Sequence, residues 1–232
     1  MARARLYFLD TMRGTAVLAM LVYHLLYNLY FYGNLPRDVM FHPLMRAFQI
    51  SIGVTFLFVA GISARLSRSN IRRGARLFLI AMGITAVSYL IGNPILFGVL
   101  HLLSISMILY GITGRWVEKI PPGLLLFLCA AGIFFGQRII GIYPSAPAWA
   151  FPLGFRTATF YSADYYPLLP WVFVFLSGVA AGSWVITDRI PRWLRAQKQG
   201  YIAMIGQRAL LIYIVHQPIL LGAQLAIQWI IR

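Results

Sequence analysis

Residues 10–28 read DTMRGTAVLAMLVYHLLYN, a run apolar enough for a membrane helix that nevertheless carries an acid, an arginine and a histidine. Asp10 and Arg13 lie three apart, and Arg13 and His24 lie eleven apart. At about 100° per residue all three fall near one face of one helix, so they can line a shared cavity. A rise of about 1.5 Å per residue separates the arginine from the histidine by roughly 16 Å along the axis.

Composition places that helix in a bilayer. The 232 residues are 60% hydrophobic and 11% charged, against roughly 45–50% apolar and 25% charged in soluble domains. The balance of 20 Lys and Arg against 5 Asp and Glu gives a net charge of +15. In a soluble chain this would point to nucleic acid. Here the cations cluster between apolar segments and read as topology signals, with no nucleic-acid partner. The single cysteine, Cys129, excludes an internal disulfide and any multi-cysteine metal site. The opening MARARL runs into an apolar stretch that reaches Phe31 without a small-residue cleavage pattern. It reads as a retained signal anchor.

A span of hydrocarbon needs about 17–25 apolar residues. Seven stretches qualify, approximately 12–32, 48–65, 75–92, 96–114, 122–141, 167–187 and 207–231. Gly92-Asn93-Pro94 supplies a tight turn between the third and fourth. With the N-terminus inside, the inner segments hold Arg3, Arg5, the five arginines of 65–76, Arg115, Lys119, Arg189, Arg192, Arg195 and Lys198. The outer side holds only Arg37, Arg46, Arg138, Arg156 and Arg232. This bias predicts a cytoplasmic N-terminus and an outer C-terminus. Residues 142–166, rich in aromatics, Gly and Pro, are too apolar for a free loop and predict a re-entrant or interfacial outer cap. The expected architecture is an all-α integral membrane bundle of about seven helices forming one domain over 1–232.

Ionisable groups inside a bilayer are expensive and point to function. Four qualify: Arg13, His24, His101 and His216. Pro218 removes a backbone donor just after His216 and predicts a local break there. A lone membrane histidine can simply bridge two helices, Arg13 can snorkel to the interface, and Asp10 can cap its helix. The register of His24 with Arg13 and Asp10 favours a site.

Six blocks then carry a resemblance: DTMRG…H at the start, FLFVAGIS at 56–63, RRGARLFLI at 72–80, FGVLHLLSIS at 97–106, FYSADYYPLLPWVFVFLSGVAAG at 160–182 and ALLIYIVHQPIL at 209–220. Over nearly its whole length the sequence resembles the bacterial relatives of heparan-α-glucosaminide N-acetyltransferase. More loosely it is similar to the wider superfamily of transmembrane acyltransferases, one branch of which has an arginine and a histidine separated by ten residues in the first helix, as Arg13 and His24 are.

The resemblance implies acyl transfer across a bacterial plasma membrane, from cytoplasmic acetyl-CoA to a saccharide or glycan acceptor outside, without a metal. The separation of Arg13 from His24 is comparable to an extended pantetheine thioester. Asp10 and Arg13, the loop arginines Arg72, Arg73 and Arg76, and Arg208, His216 and Gln217 are then assigned to the coenzyme, with guanidiniums on its phosphates. His24 becomes the base, or the carrier of the acyl group. His101 would polarise the carbonyl or orient His24, and Asp164 would orient an imidazole or hold the acceptor. Animal relatives have an asparagine in place of His24 and use a histidine of the first outer loop, the region of His42, which makes His42 a second candidate. Heparan sulfate is not carried over as substrate. Two other classes compete: a proton-coupled transporter or flippase with a histidine relay, and a bis-histidine haem protein built from His24, His101 and His216.

Overall fold

The computed structural model of the chain describes residues 5–142 and 146–231. They form α-helices with no β-strand among the described residues: α1 (Tyr7–Phe31), α2 (Arg37–Met40), α3 (Pro43–Leu66), α4 (Asn70–Leu90), α5 (Val99–Val117), α6 (Pro122–Ile142), α7 (Leu168–Ile186), α8 (Arg192–Arg195), α9 (Tyr201–Gln207) and α10 (Ala209–Ile231). A 3-10 helix, Ala148–Leu153, interrupts the connection between α6 and α7. Six helices, α1 and α3 to α7, are long and apolar enough to cross a membrane. A seventh crossing arises if α9 and α10 are taken together across the 84° bend between them. The expected all-α membrane bundle is therefore what the sequence folds into.

The bend corrects one expectation. The helix α10 runs through Pro218, and the break in the last span falls ten residues earlier, at Arg208, which caps α9. A proline inside a helix forfeits one hydrogen bond, and here the helix continues past that loss.

The residues cluster into two units, Met1–Phe56 with Ile190–Arg232, and Leu57–Arg189; α3 passes from one to the other. In the first unit, α1 is the helix around which α9 and α10 pack. Its buried residues include Asp10, Gly14, Val17, Met20 and Asn28, spaced at threes, fours and eights, so they form one stripe along a helix. A side chain at Gly14 would overlap the main-chain carbonyl of Ile202, and one at Gly206 would overlap that of Asp10. The two glycines let α9 lie backbone to backbone on the first turns of α1, the close approach that small residues allow between membrane helices.

In the second unit, α4 pairs with α5 and α6 with α7. The fully buried Phe175 of α7 packs with Met107, Tyr110, Val179 and Ala64. Leu57 and Leu102 meet Phe97 and Val174 in a neighbouring cluster. Gly92, at φ +76, makes the expected turn after α4, in a conformation that costs glycine least. The segment leaving this turn pairs with the connection before α7: Ala163 N–H donates to Pro94 O (2.9 Å) and Tyr166 N–H to Phe97 O (2.9 Å). Phe151, Phe160 and Tyr165 pack ring on ring there. Tyr165 donates its hydroxyl to Phe151 O at 2.7 Å, and burial pushes its phenol up to about 12. The aromatics expected in a cap thus pack against one another and the α4–α5 turn.

Candidate active site

Asp10, in the first turn of α1, is 3% exposed, and its two carboxylate oxygens are divided between two arginines. Arg5 Nε donates to Oδ2 at 2.7 Å and Arg13 Nη1 to Oδ1 at 2.6 Å. The carboxylate holds the Arg5 guanidinium above its ordinary pKa. Gly206 seats α9 on Asp10, which brings the exposed Arg208, two residues on, to the same end of α1. Two guanidiniums thus share one carboxylate at that end of α1, with the Arg208 backbone close by. Asp10 thereby ties Arg5 and Arg13 to one point of α1.

Further along the buried stripe, His24 Nδ1 lies 3.0 Å from Met20 O. A carbonyl only accepts, so Nδ1 carries a proton, and in the neutral ring Nε2 then keeps its lone pair. His216 on α10 repeats the arrangement, with Nδ1 at 2.6 Å from Tyr213 O, and its Nε2 is buried with no partner among the described residues. The two rings meet edge to face, centroids 4.7 Å apart at 85°. Two imidazoles, each with Nδ1 held by a carbonyl of its own helix, stand side by side. Edge-to-face contact leaves no space for a macrocycle between them, which removes this pair as a haem clamp.

One turn beyond His24 on the same stripe, Asn28 Oδ1 accepts from Gln217 Nε2 at 3.1 Å, and Asn28 O accepts from Gln224 Nε2 at 3.4 Å. Sequence reading named Gln217 but missed Asn28, Gln224 and Arg5. The spacing of four between His24 and Asn28, both polar in an apolar run, was the available signal. His42 lies outside the imidazole pair, exposed in the turn between α2 and α3, where its Nδ1 accepts Leu44 N–H at 3.3 Å. A cavity of about 420 Å³ opens there beside Asp38 and Met45.

His101 and Asp164 belong to the second unit, and both serve the N-terminus of α5. His101 Nδ1 accepts Gly98 N–H (3.2 Å), so its proton is on Nε2, which lies 3.1 Å from Thr85 Oγ1. That hydroxyl donates onward to Ile95 O at 2.6 Å. Asp164 Oδ2 accepts Val99 N–H at 3.1 Å. Helix N-termini leave such N–H groups without intrahelical partners, and these two side chains supply them. His101 has neither nitrogen open, in contrast to His24. Of the loop arginines, Arg72 lines a cavity of about 720 Å³ together with Arg68, Asn70, Arg115 and Glu118, whereas Arg73 and Arg76 are exposed on α4.

The family model for heparan-alpha-glucosaminide N-acetyltransferase, catalytic, matches residues 5–218. The chain belongs to this family. The matched region takes in Asp10, Arg13, His24, Asn28, His216 and Gln217 and ends before Gln224. The family is one of N-acetyltransferases, and its six apolar helices and bent pair make this member an integral membrane protein. No curated protein and no solved structure matches the chain. No cluster of three or more metal-ligating side chains occurs among the described residues.

Proposed function

We propose that the protein transfers an acetyl group from acetyl-CoA to an amino or hydroxyl group of a saccharide or glycan acceptor, across the plasma membrane of a bacterium. The observation that carries this reading is the imidazole of His24, its Nδ1 held by Met20 O, edge to face with the imidazole of His216, on a helix whose first turn holds an arginine–carboxylate cluster.

Arg13 and Arg208 hold the coenzyme phosphates by charge-assisted hydrogen bonds, and Asp10 fixes Arg13. The pantetheine arm runs the roughly 16 Å from Arg13 to His24. His24 Nε2 removes the proton from the acceptor as its nitrogen or oxygen attacks the thioester carbonyl. The carbon–sulfur bond then breaks, and the thiolate takes up the proton from the imidazolium. His216, with its own Nε2 unpartnered among the described residues, also favours a two-step route. There His24 Nε2 attacks the thioester carbonyl and the carbon–sulfur bond breaks to release the thiolate; His216 Nε2 then takes the acceptor's proton as the acceptor attacks the acetyl carbon, the bond to His24 breaks, and His216 gives that proton up to the thiolate. The excess of cations in alternate connecting segments orients the chain with Arg13 towards the cytoplasm, where the donor is found.

Purified protein incubated with labelled acetyl-CoA and glucosamine tests the reaction directly. Acetylated amine and free thiol in equal amounts are the expected products. Thioester left intact, with the protein instead moving protons or a solute in proteoliposomes, would hand the reading to a transporter. Omitting the acceptor separates the two routes: label retained on His24 marks the covalent one.

A further inference from the structure

A cavity of about 720 Å³ lies between the start of α4 and the end of α5, with Arg68, Asn70, Arg72, Arg115 and Glu118 in its lining. No step of the proposed reaction uses it. Glu118 is already engaged: its Oε1 accepts from Arg65 Nη1 and from the Tyr110 hydroxyl, each at 2.8 Å. Arg68, Arg72 and Arg115 are exposed and pair with no carboxylate among the described residues. Ser69 makes no side-chain hydrogen bond to the start of α4, so the N–H groups of that first turn gain no acceptor from it. Asn70 adds a requirement of another kind. It is 7% exposed, and its Nδ2 donates to Ala64 O at 2.8 Å and Ser67 O at 3.2 Å. Two carbonyls fix the amide nitrogen on that side, and Oδ1 is left buried with no partner among the described residues.

Uncompensated guanidiniums around a helix N-terminus favour an anion, while an open amide oxygen in the same cavity requires a donor. A bare phosphate meets the first demand and sets its own oxygens against the second. A phosphodiester whose substituent carries a hydroxyl meets both. The surroundings then select its source. Ile71, part of the lining, is 50% exposed, and Ile112 and Trp116, which follow the lining residues Gly111 and Arg115 in α5, are 55% and 51% exposed. Arg115 lies over the Trp116 ring at 4.0 Å, an aromatic and a cation together as at a membrane interface. The polar cavity thus opens beside apolar side chains of two spanning helices, where acyl chains can run. The connections before α4 and after α5 are two crossings apart and share one side of the membrane, which the cation bias makes the inner one. We infer that this cavity binds the headgroup of an anionic phospholipid of the inner leaflet, a phosphodiester with a hydroxyl-bearing substituent. Arg68, Arg72 and Arg115 hold the phosphate, and Asn70 Oδ1 accepts from the hydroxyl.

The test titrates the full chain, freed of lipid in detergent, with phosphatidylglycerol, phosphatidylmethanol and phosphatidylcholine of the same acyl chains and with soluble glycerol phosphate, and counts the bound molecules by native mass spectrometry. Phosphatidylglycerol is expected to bind about tenfold or more tightly than phosphatidylcholine. It should also bind more tightly than phosphatidylmethanol, which has the same charge and no hydroxyl to offer Asn70. Arg68→Gln, Arg72→Gln and Arg115→Gln should each lower its affinity about fivefold; these side chains are exposed, so the variants fold. Lys119→Gln, an exposed cation outside the lining, should leave the affinity unchanged. An equal loss in Lys119→Gln would reduce the preference to general surface charge, and phosphatidylmethanol bound as tightly as phosphatidylglycerol would take Asn70 out of the site. Glycerol phosphate bound as tightly as the lipid, or displacement of the lipid by desulfo-CoA, would give the cavity to a soluble anion. Each of these overturns the inference. None of the measurements involves acetyl transfer, so their failure and a failure of the proposed function are told apart.

Discussion

His24 and His216, from opposite ends of the chain, meet edge to face at 4.7 Å, each with its Nδ1 proton tied to a carbonyl of its own helix. In water an imidazole exchanges freely between tautomers. Here each helix fixes the proton on Nδ1 and leaves Nε2 as the only basic position, a second-partner effect that decides what a histidine can do.

His24→Ala is expected to lower kcat by about 10²–10⁴, the range general acid–base groups supply, while the protein still folds, since the change removes a polar group from a membrane interior. His216→Ala should lower kcat as well, by less if transfer is direct and by a comparable factor if the route is covalent. Steady-state rates of both variants in detergent decide this. Near wild-type turnover by His24→Ala would shift attention to His42.

Arg13→Ala should raise the KM of acetyl-CoA by about one to two powers of ten, matching a charge-assisted hydrogen bond of about 1.5–3 kcal/mol, and leave kcat almost unchanged. Asp10→Asn should produce a smaller rise of the same kind, because the amide still accepts from one arginine but no longer holds both. Titration calorimetry with desulfo-CoA checks affinity apart from turnover, and an unaltered affinity in Arg13→Ala removes this residue from the coenzyme site.

His101→Ala and Asp164→Ala are expected to act on stability. Each deletes an acceptor for an N–H group at the start of α5, and capping losses cost about 0.5–2 kcal/mol. The thermal midpoint should fall in both, with Asp164→Asn close to wild type because its amide oxygen still accepts Val99 N–H. A His101→Ala protein with an unchanged midpoint and no turnover would return His101 to the chemistry.

Gly206→Val should fail to seat α9. Its side chain would meet the carbonyl of Asp10, and backbone in a helix cannot swing aside as a side chain can, so the cost reaches or exceeds the roughly 1–3 kcal/mol of an overpacked core. Reduced thermal stability together with weaker coenzyme binding is the expected pair of results, since Arg208 is positioned by the same contact. Ser67→Ala, at the edge of the separate cavity by Arg72, provides a comparison with no such overlap.

The apolar runs, the turn at Gly92 and the common face of Asp10, Arg13 and His24 were legible in the residues alone, because hydrocarbon thickness and helical periodicity act on neighbours in the chain. Asn28 was legible in principle, four residues past His24, but in isolation it read as one more polar residue near a helix end. Register with Asp10 and Arg13 favours His24 over His101, but it does not say which nitrogens either ring keeps open. Both are membrane histidines, and only the folded chain shows His101 spending its two nitrogens on Gly98 and Thr85 while His24 keeps Nε2 open.

The bend at Arg208 and the continuity of α10 through Pro218 also came from packing. The loss at a proline is a local quantity, whereas the seat of α9 against Gly14 and Asp10 depends on a helix from the other end of the sequence. What the sequence determined by itself was a membrane helix with a polar stripe. Tertiary structure decided which side chains share that stripe and where each proton sits, because hydrogen-bond partners are chosen by contact in space and not by spacing along the chain.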